Sequence, residues 1–90
     1  VTDQAYAARF DTPAAKQVEK LDKPVQRRVV DKARALAKDP RPPGCVRIKG
    51  AVDLWWVRVG DYRLVYTIRD GELLVLVLSV AHRSEVYRDL

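Results

Sequence analysis

Arg58 and Arg63 flank Val59-Gly60-Asp61-Tyr62, a segment that reads as a β-hairpin with Gly60-Asp61 as its two-residue turn. Glycine at the first turn position suits a type II′ turn. A loop of that length pairs Val59 with Tyr62 and sets Arg58 directly across from Arg63 on one face of the ribbon. Like charges facing each other across strands repel, and the nearest acid, Asp61, belongs to the turn. Two arginines in this arrangement either wait for an anion or are solvated surface groups. His82 ends a later apolar strand, and unbroken alternation points it to the same face. Arg83 and Tyr87 follow closely enough to fold back toward it. Three arginines, a histidine and a tyrosine, with Glu85 as the nearest carboxylate, build neither a two-carboxylate glycosidase nor a Mg²⁺ site. They suit a phosphodiester. Guanidinium groups clamp the phosphate and stabilise charge that develops in the transition state, while His82 or Tyr87 moves a proton. Trp56, on the face of Arg58, either stacks on a base or packs as a covered apolar residue. With no metal or other cofactor called for, the simplest scission of RNA uses its own 2′-OH as nucleophile, a group DNA lacks.

These residues need a scaffold, and the chain supplies an α+β pattern. Ala5–Phe10 reads as a strand. Thr12-Pro13 opens a helix, with Thr12 as N-cap and proline in the first turn, running to about Leu21. Asp22-Lys23-Pro24 breaks and restarts it, and Val25, Val29, Ala33 and Leu36 form one stripe of the second helix. That helix stops before Asp39-Pro40, and the two helices form an antiparallel hairpin. Arg41-Pro42-Pro43-Gly44 is a stiff loop, and Val46–Lys49 is either a short lead-in strand or irregular. Leu54–Val59, Tyr62–Arg69 and Glu72–Ala81 form a three-stranded antiparallel meander with Asp70-Gly71 as its second turn. His82–Leu90 accommodates one helical turn. The last strand is apolar on both faces, so it belongs inside the sheet, with Ala5–Phe10 along its other edge. The expected architecture is a single domain over residues 1–90: a four-stranded sheet with both helices on one face. Trp55, Val57, Val59, Tyr62, Leu64, Tyr66, Ile68, Leu73, Val75 and Val77 look toward the helices. The other face is mixed, basic near the first turn and apolar along Leu74, Leu76 and Leu78.

The composition narrows the partners. Seventeen Lys+Arg stand against twelve Asp+Glu, and residues 23–49 alone carry nine basic residues and two acids. A stretch of net charge +7 favours a polyanion or an acidic protein, although a solvated helix face also accounts for much of it. Within it, Arg47 and Lys49 join Trp56 as candidate RNA-binding residues. The single cysteine, Cys45, excludes an intrachain disulfide and fits a reducing cytosol. One cysteine and one histidine exclude the usual thiolate and imidazole metal sites. The longest apolar run, Leu73–Leu78, is too short to span a membrane, and no signal-peptide pattern is read at the start.

Several strings resemble a known family. Gly60-Asp61-Tyr62-Arg63-Leu64-Val65-Tyr66 is similar to the central hairpin of the RelE/ParE toxin superfamily. Ser79-Val80-Ala81-His82-Arg83-Ser84-Glu85-Val86-Tyr87 is similar to the C-terminal signature of its RelE branch. The loop Asp39-Pro40-Arg41-Pro42-Pro43-Gly44 and the Lys49-Gly50 step also resemble that family, and the order of elements agrees along essentially the whole chain. The resemblance implies a bacterial toxin of a type II toxin–antitoxin pair, acting as a cytoplasmic, metal-independent endoribonuclease. Its substrate would be mRNA in the A site of the 70S ribosome, cut by 2′-OH attack to leave a 2′,3′-cyclic phosphate and a 5′-OH. It implies catalytic roles for Arg58, Arg63, Arg83 and Tyr87, with His82 where relatives carry basic residues or histidine. The expected partner is an acidic antitoxin that folds on binding. The chain departs from the pattern at Trp56, where RelE-type enzymes often have lysine. Two other readings stay open: a ParE-like inhibitor of DNA gyrase, and a catalytically weak module that only binds an antitoxin.

Overall fold

The computed structural model describes residues 6–50 and 53–82. Along the chain run β1 (Ala7–Phe10), α1 (Thr12–Glu19), α2 (Lys23–Lys38), β2 (Val46–Arg47), β3 (Leu54–Val59), β4 (Tyr62–Arg69), a 3₁₀ turn (Asp70–Glu72) and β5 (Leu74–His82). The strands form one sheet in the order β1-β5-β4-β3-β2. The expected order of four strands is present, and a fifth is added: Val46–Arg47 pairs antiparallel with Trp55 and Trp56 at the far edge. β1 runs parallel to β5, and the remaining pairings are antiparallel. β5 is therefore interior, as its apolar character on both faces demands.

Both helices pack on one face. Ala14 of α1 and Val29, Ala33 and Leu36 of α2 are buried against Val57, Val59, Leu64, Tyr66, Ile68, Val75 and Val77 of the sheet. α1 starts one residue earlier than Thr12-Pro13 indicates. Asp11 is the N-cap, and its Oδ1 accepts a 2.9 Å hydrogen bond from the Thr12 amide. At its other end, Gln26 of α2 donates from Nε2 to the carbonyls of Val18 and Leu21, both at 2.9 Å. One side chain thereby satisfies carbonyls that the helix end leaves without intrahelical partners.

The two hairpins differ. At the first, Val59 pairs with Tyr62 and Arg58 with Arg63, and Gly60 takes φ +60 while Asp61 keeps a negative φ, in agreement with a type II′ turn. The second is not a two-residue Asp70-Gly71 loop. Asp70–Glu72 forms a 3₁₀ turn closed by Leu73 in the left-handed region (φ +51), and Arg69 pairs with Leu74. The register moves by two residues, so the faces are preserved at first. They are not preserved to the end of β5. A bulge intervenes, because Tyr66 pairs with Val77 while Val65 pairs with Ser79, which leaves Leu78 as the extra residue. Beyond it the alternation is inverted. Val80, expected on the open face, is buried across from Leu64. Leu74, Leu76 and Leu78 are half-buried rather than an exposed strip.

Candidate functional site

The β3–β4 hairpin positions the central pair. Arg58 and Arg63 lie across from each other on the face turned away from the helices, Arg58 exposed and Arg63 half-buried. Trp56 shares that face, and the Arg63 guanidinium carbon stands 4.2 Å from the centroid of its ring. This diagonal contact explains how the like-charge pair is tolerated. Arg63 leans onto an aromatic face, where its charge meets the ring quadrupole. Trp56 thus presents its ring to Arg63, an arrangement between the two expected of it. Across on β5, Arg63 meets Ala81, whose methyl group leaves the guanidinium side of the sheet unobstructed.

His82 is not part of this face. The bulge at Leu78 pairs it with Tyr62, on the helix side of the sheet, and the two rings meet edge-on at 5.4 Å. The expectation that His82 points with Arg58 and Arg63 assumed unbroken alternation, and the extra residue overturns it. The candidate RNA-binding residues do not converge either. Arg47 pairs with Trp55 and so lies on the opposite face from Trp56. Lys49 is exposed beyond Ile48, whose amide bonds to the Leu54 carbonyl. It is thus at the other end of β3 from Arg58, about 13 Å along the strand. Arg83 and Tyr87 lie outside the described residues.

At the far end of the sheet is a polar cluster not anticipated from sequence. The Tyr6 hydroxyl donates to Asp70 Oδ1 at 2.6 Å, and Arg41 Nη2 pairs with Asp70 Oδ2 at 3.0 Å. Hydrogen bonds from Arg41 and then Tyr6 hold the Asp70 carboxyl below its usual range, and the bond to Asp70 raises the Tyr6 phenol. Nearby, the buried Tyr66 hydroxyl donates to the Pro40 carbonyl at 2.8 Å, and burial pushes that phenol far above its ordinary value. These contacts fasten the 39–44 loop to β4 and the second turn. Their chemistry is structural: every polar group in them has a protein partner.

An α1–α2 pair on one face, a five-stranded sheet and a basic open face frame the comparison with known proteins. A family profile described as "ParE toxin of type II toxin-antitoxin system, parDE" matches residues 8–87. The chain belongs to this toxin family. Curated relatives carry RelE names. The mRNA interferase toxin RelE of Escherichia coli K12 is 34% identical over 95 residues, covering 94% of this chain and 93% of its own. Toxin RelG of Mycobacterium tuberculosis is 33% identical over 84 residues, with coverage of 92% and 97%. Among solved structures, the RelBE2 toxin–antitoxin complex of M. tuberculosis superposes with a TM-score of 0.80 at 31% identity, covering 92% of this chain and 97% of that one. The intact E. coli RelBE complex gives 0.77 at 30%, with coverage of 87% and 96%. The toxin fold expected from the hairpin and C-terminal strings is thus confirmed. No helix among the described residues is long and apolar enough to cross a membrane.

Proposed function

We propose that this toxin is a ribosome-dependent endoribonuclease that cuts mRNA in the A site, and that an acidic antitoxin restrains it by folding around it. The observation that carries the reading is the Arg58–Arg63 pair, set face to face on the hairpin with Arg63 held over Trp56. Two guanidinium groups on one open face form a fork for the non-bridging oxygens of a phosphodiester. The 2′-OH of the preceding ribose loses its proton to solvent water and attacks phosphorus. The P–O5′ bond breaks, the 5′ oxygen gains a proton, and a 2′,3′-cyclic phosphate and a 5′-OH remain. Charge on the pentacoordinate phosphorus peaks in the transition state, where Arg58 and Arg63 have most effect.

The proton donor in this reading is Tyr87, and Arg83 adds positive charge for the phosphate. His82 is disfavoured because its ring is packed edge-on against Tyr62 on the other face of the sheet. Relatives named mRNA interferase support the activity, and neighbours solved as toxin–antitoxin complexes support the partner. A net charge of +5 gives an acidic antitoxin a complementary surface. The matched profile bears a ParE name, which favours inhibition of DNA gyrase as the second reading. Brief expression followed by mapping of new mRNA 5′ ends, with and without translating ribosomes, separates them. Cuts within codons that vanish when ribosomes are removed support the nuclease. Growth arrest with intact mRNA supports the gyrase reading.

A further inference from the structure

A second basic feature lies off the open face, between α2 and the tip of the β3–β4 hairpin. It is a groove of about 400 Å³ lined by Arg28, Asp31, Lys32 and Ala35 of α2 and by Arg58, Val59 and Gly60 of the hairpin. Arg28 reaches over the turn: its Nη1 stands 3.8 Å from where a Cβ on Gly60 would be. Among the described residues, Arg28, Lys32 and Arg58 make no ion pair, and the pairs that do form are Arg41–Asp70 and Arg69–Glu72. Asp31 lines the same groove and makes no ion pair with any of them. The backbone contributes as well. Val59 and Tyr62 close the two-residue turn as a hydrogen-bonded pair, so the alternation of the ladder turns the Arg58 amide away from β4. β2 pairs with β3 only at Trp55 and Trp56, so no strand covers that amide.

We propose that this groove is a phosphate-binding track for an RNA backbone, distinct from the pair that holds the scissile phosphate. It receives a phosphate next along the strand or in a neighbouring RNA. Two cationic side chains, Arg28 and Lys32, and the Arg58 edge of β3 come together from two elements, and they suit a phosphate. The remaining walls are Asp31, Ala35, Val59 and Gly60. They offer no apolar pocket of the depth that anchors a peptide side chain, and this favours nucleic acid over an acidic polypeptide. Arg58 belongs to both surfaces: its side chain is on the open face and its strand edge borders the groove. Where the RNA enters relative to the cut rests on the nuclease reading above, but the anion site itself does not.

The test uses the purified toxin and a fluorescein-labelled single-stranded RNA 20-mer, titrated by anisotropy across a range of KCl concentrations. Each phosphate contact to single-stranded RNA contributes about 0.7 to the slope of log affinity against log salt. Arg28→Gln/Lys32→Gln is expected to flatten that slope by about 1.4, and Asp31→Asn to tighten binding. On programmed ribosomes the double variant is expected to raise KM and leave the saturated single-turnover rate unchanged. An unaltered salt slope in the double variant overturns the proposal. So does a double variant that keeps its RNA slope but loses affinity for polyglutamate, which would make the groove a protein-docking site. If the wild type cleaves nothing on ribosomes while the double variant still flattens the RNA slope, the nuclease reading fails and the groove stands.

Discussion

Arg63→Ala separates the chemistry from the fold. In stability terms two small effects within the described residues oppose each other. The variant loses a cation–π contact with Trp56, worth about 0.5–1 kcal/mol at a partly exposed site. It also relieves the repulsion from Arg58 directly opposite, of similar size for a cross-strand pair. The net change is expected to stay within about 0.5 kcal/mol, so the melting temperature should move by no more than about 4 °C. In activity there is no offset. A donor aimed at charge that appears only in the transition state is worth about 10²–10³ in rate when deleted. Single-turnover cleavage on programmed ribosomes, read alongside thermal melts, measures both. Trp56→Leu provides the internal scale. It removes the platform and leaves the arginine, so the loss is only the orienting contact of about 0.5–1 kcal/mol, or about 2–5-fold. An Arg63→Ala protein that melts like the wild type and cleaves within threefold of it would refute the phosphate-clamp reasoning. Equal losses for Arg63→Ala and Trp56→Leu would refute the platform, because Trp56 would then have to contact RNA itself.

Three further outcomes are expected. Tyr66→Phe should destabilise the protein by about 1–3 kcal/mol in urea melts, since it strands the Pro40 carbonyl against a fully buried ring. Asp70→Asn should lower stability near neutral pH and match the wild type in acid. The folded Asp70 carboxyl titrates below the ordinary aspartate range, so its contribution is present above that range and disappears as pH falls through the lower folded value. Denaturant midpoints from pH 7 to pH 2 check this, and a deficit that persists at the acid end counts against the Arg41–Asp70–Tyr6 cluster. Finally, His82→Gln should cleave within threefold of wild type on ribosomes, while Tyr87→Phe should lose about 10²-fold or more, the range of a general acid. The reverse ranking would return the proton to His82.

Much of the scaffold is legible because its signals are local. Gly60-Asp61 between alternating segments fixes the hairpin and so the Arg58–Arg63 pairing. Val29, Ala33 and Leu36 fix the buried stripe of α2, and Pro40 its end. The unread parts are those where a different backbone geometry has the same apolar pattern. In Leu74-Val75-Leu76-Val77-Leu78-Ser79-Val80 both faces are apolar, so an extra residue leaves no break in the alternation. Only the spacing of the buried valines, two residues and then three, records the shift. That one residue decides the face of His82. The second turn escaped because Asp70-Gly71 is a strong two-residue signal, and nothing in the type of Leu73 marks it for a left-handed conformation. Trp56 was readable as a departure from the lysine pattern, but its contact with Arg63 depends on a rotamer, which sequence does not encode.

Gln17 has a consequence for how the toxin behaves between partners. β1 covers β5 only from Leu74 to Val77, and the next free amide, that of Val80, donates at 2.7 Å to Gln17 Oε1 from α1. A strand edge left open there would be a template for another chain to add to, and so a route to strand exchange and aggregation. A side-chain amide instead occupies the position of the missing strand. Under the function proposed above, the closed edge keeps the free toxin from pairing with a second copy of itself. At this edge one glutamine oxygen does the work of a strand.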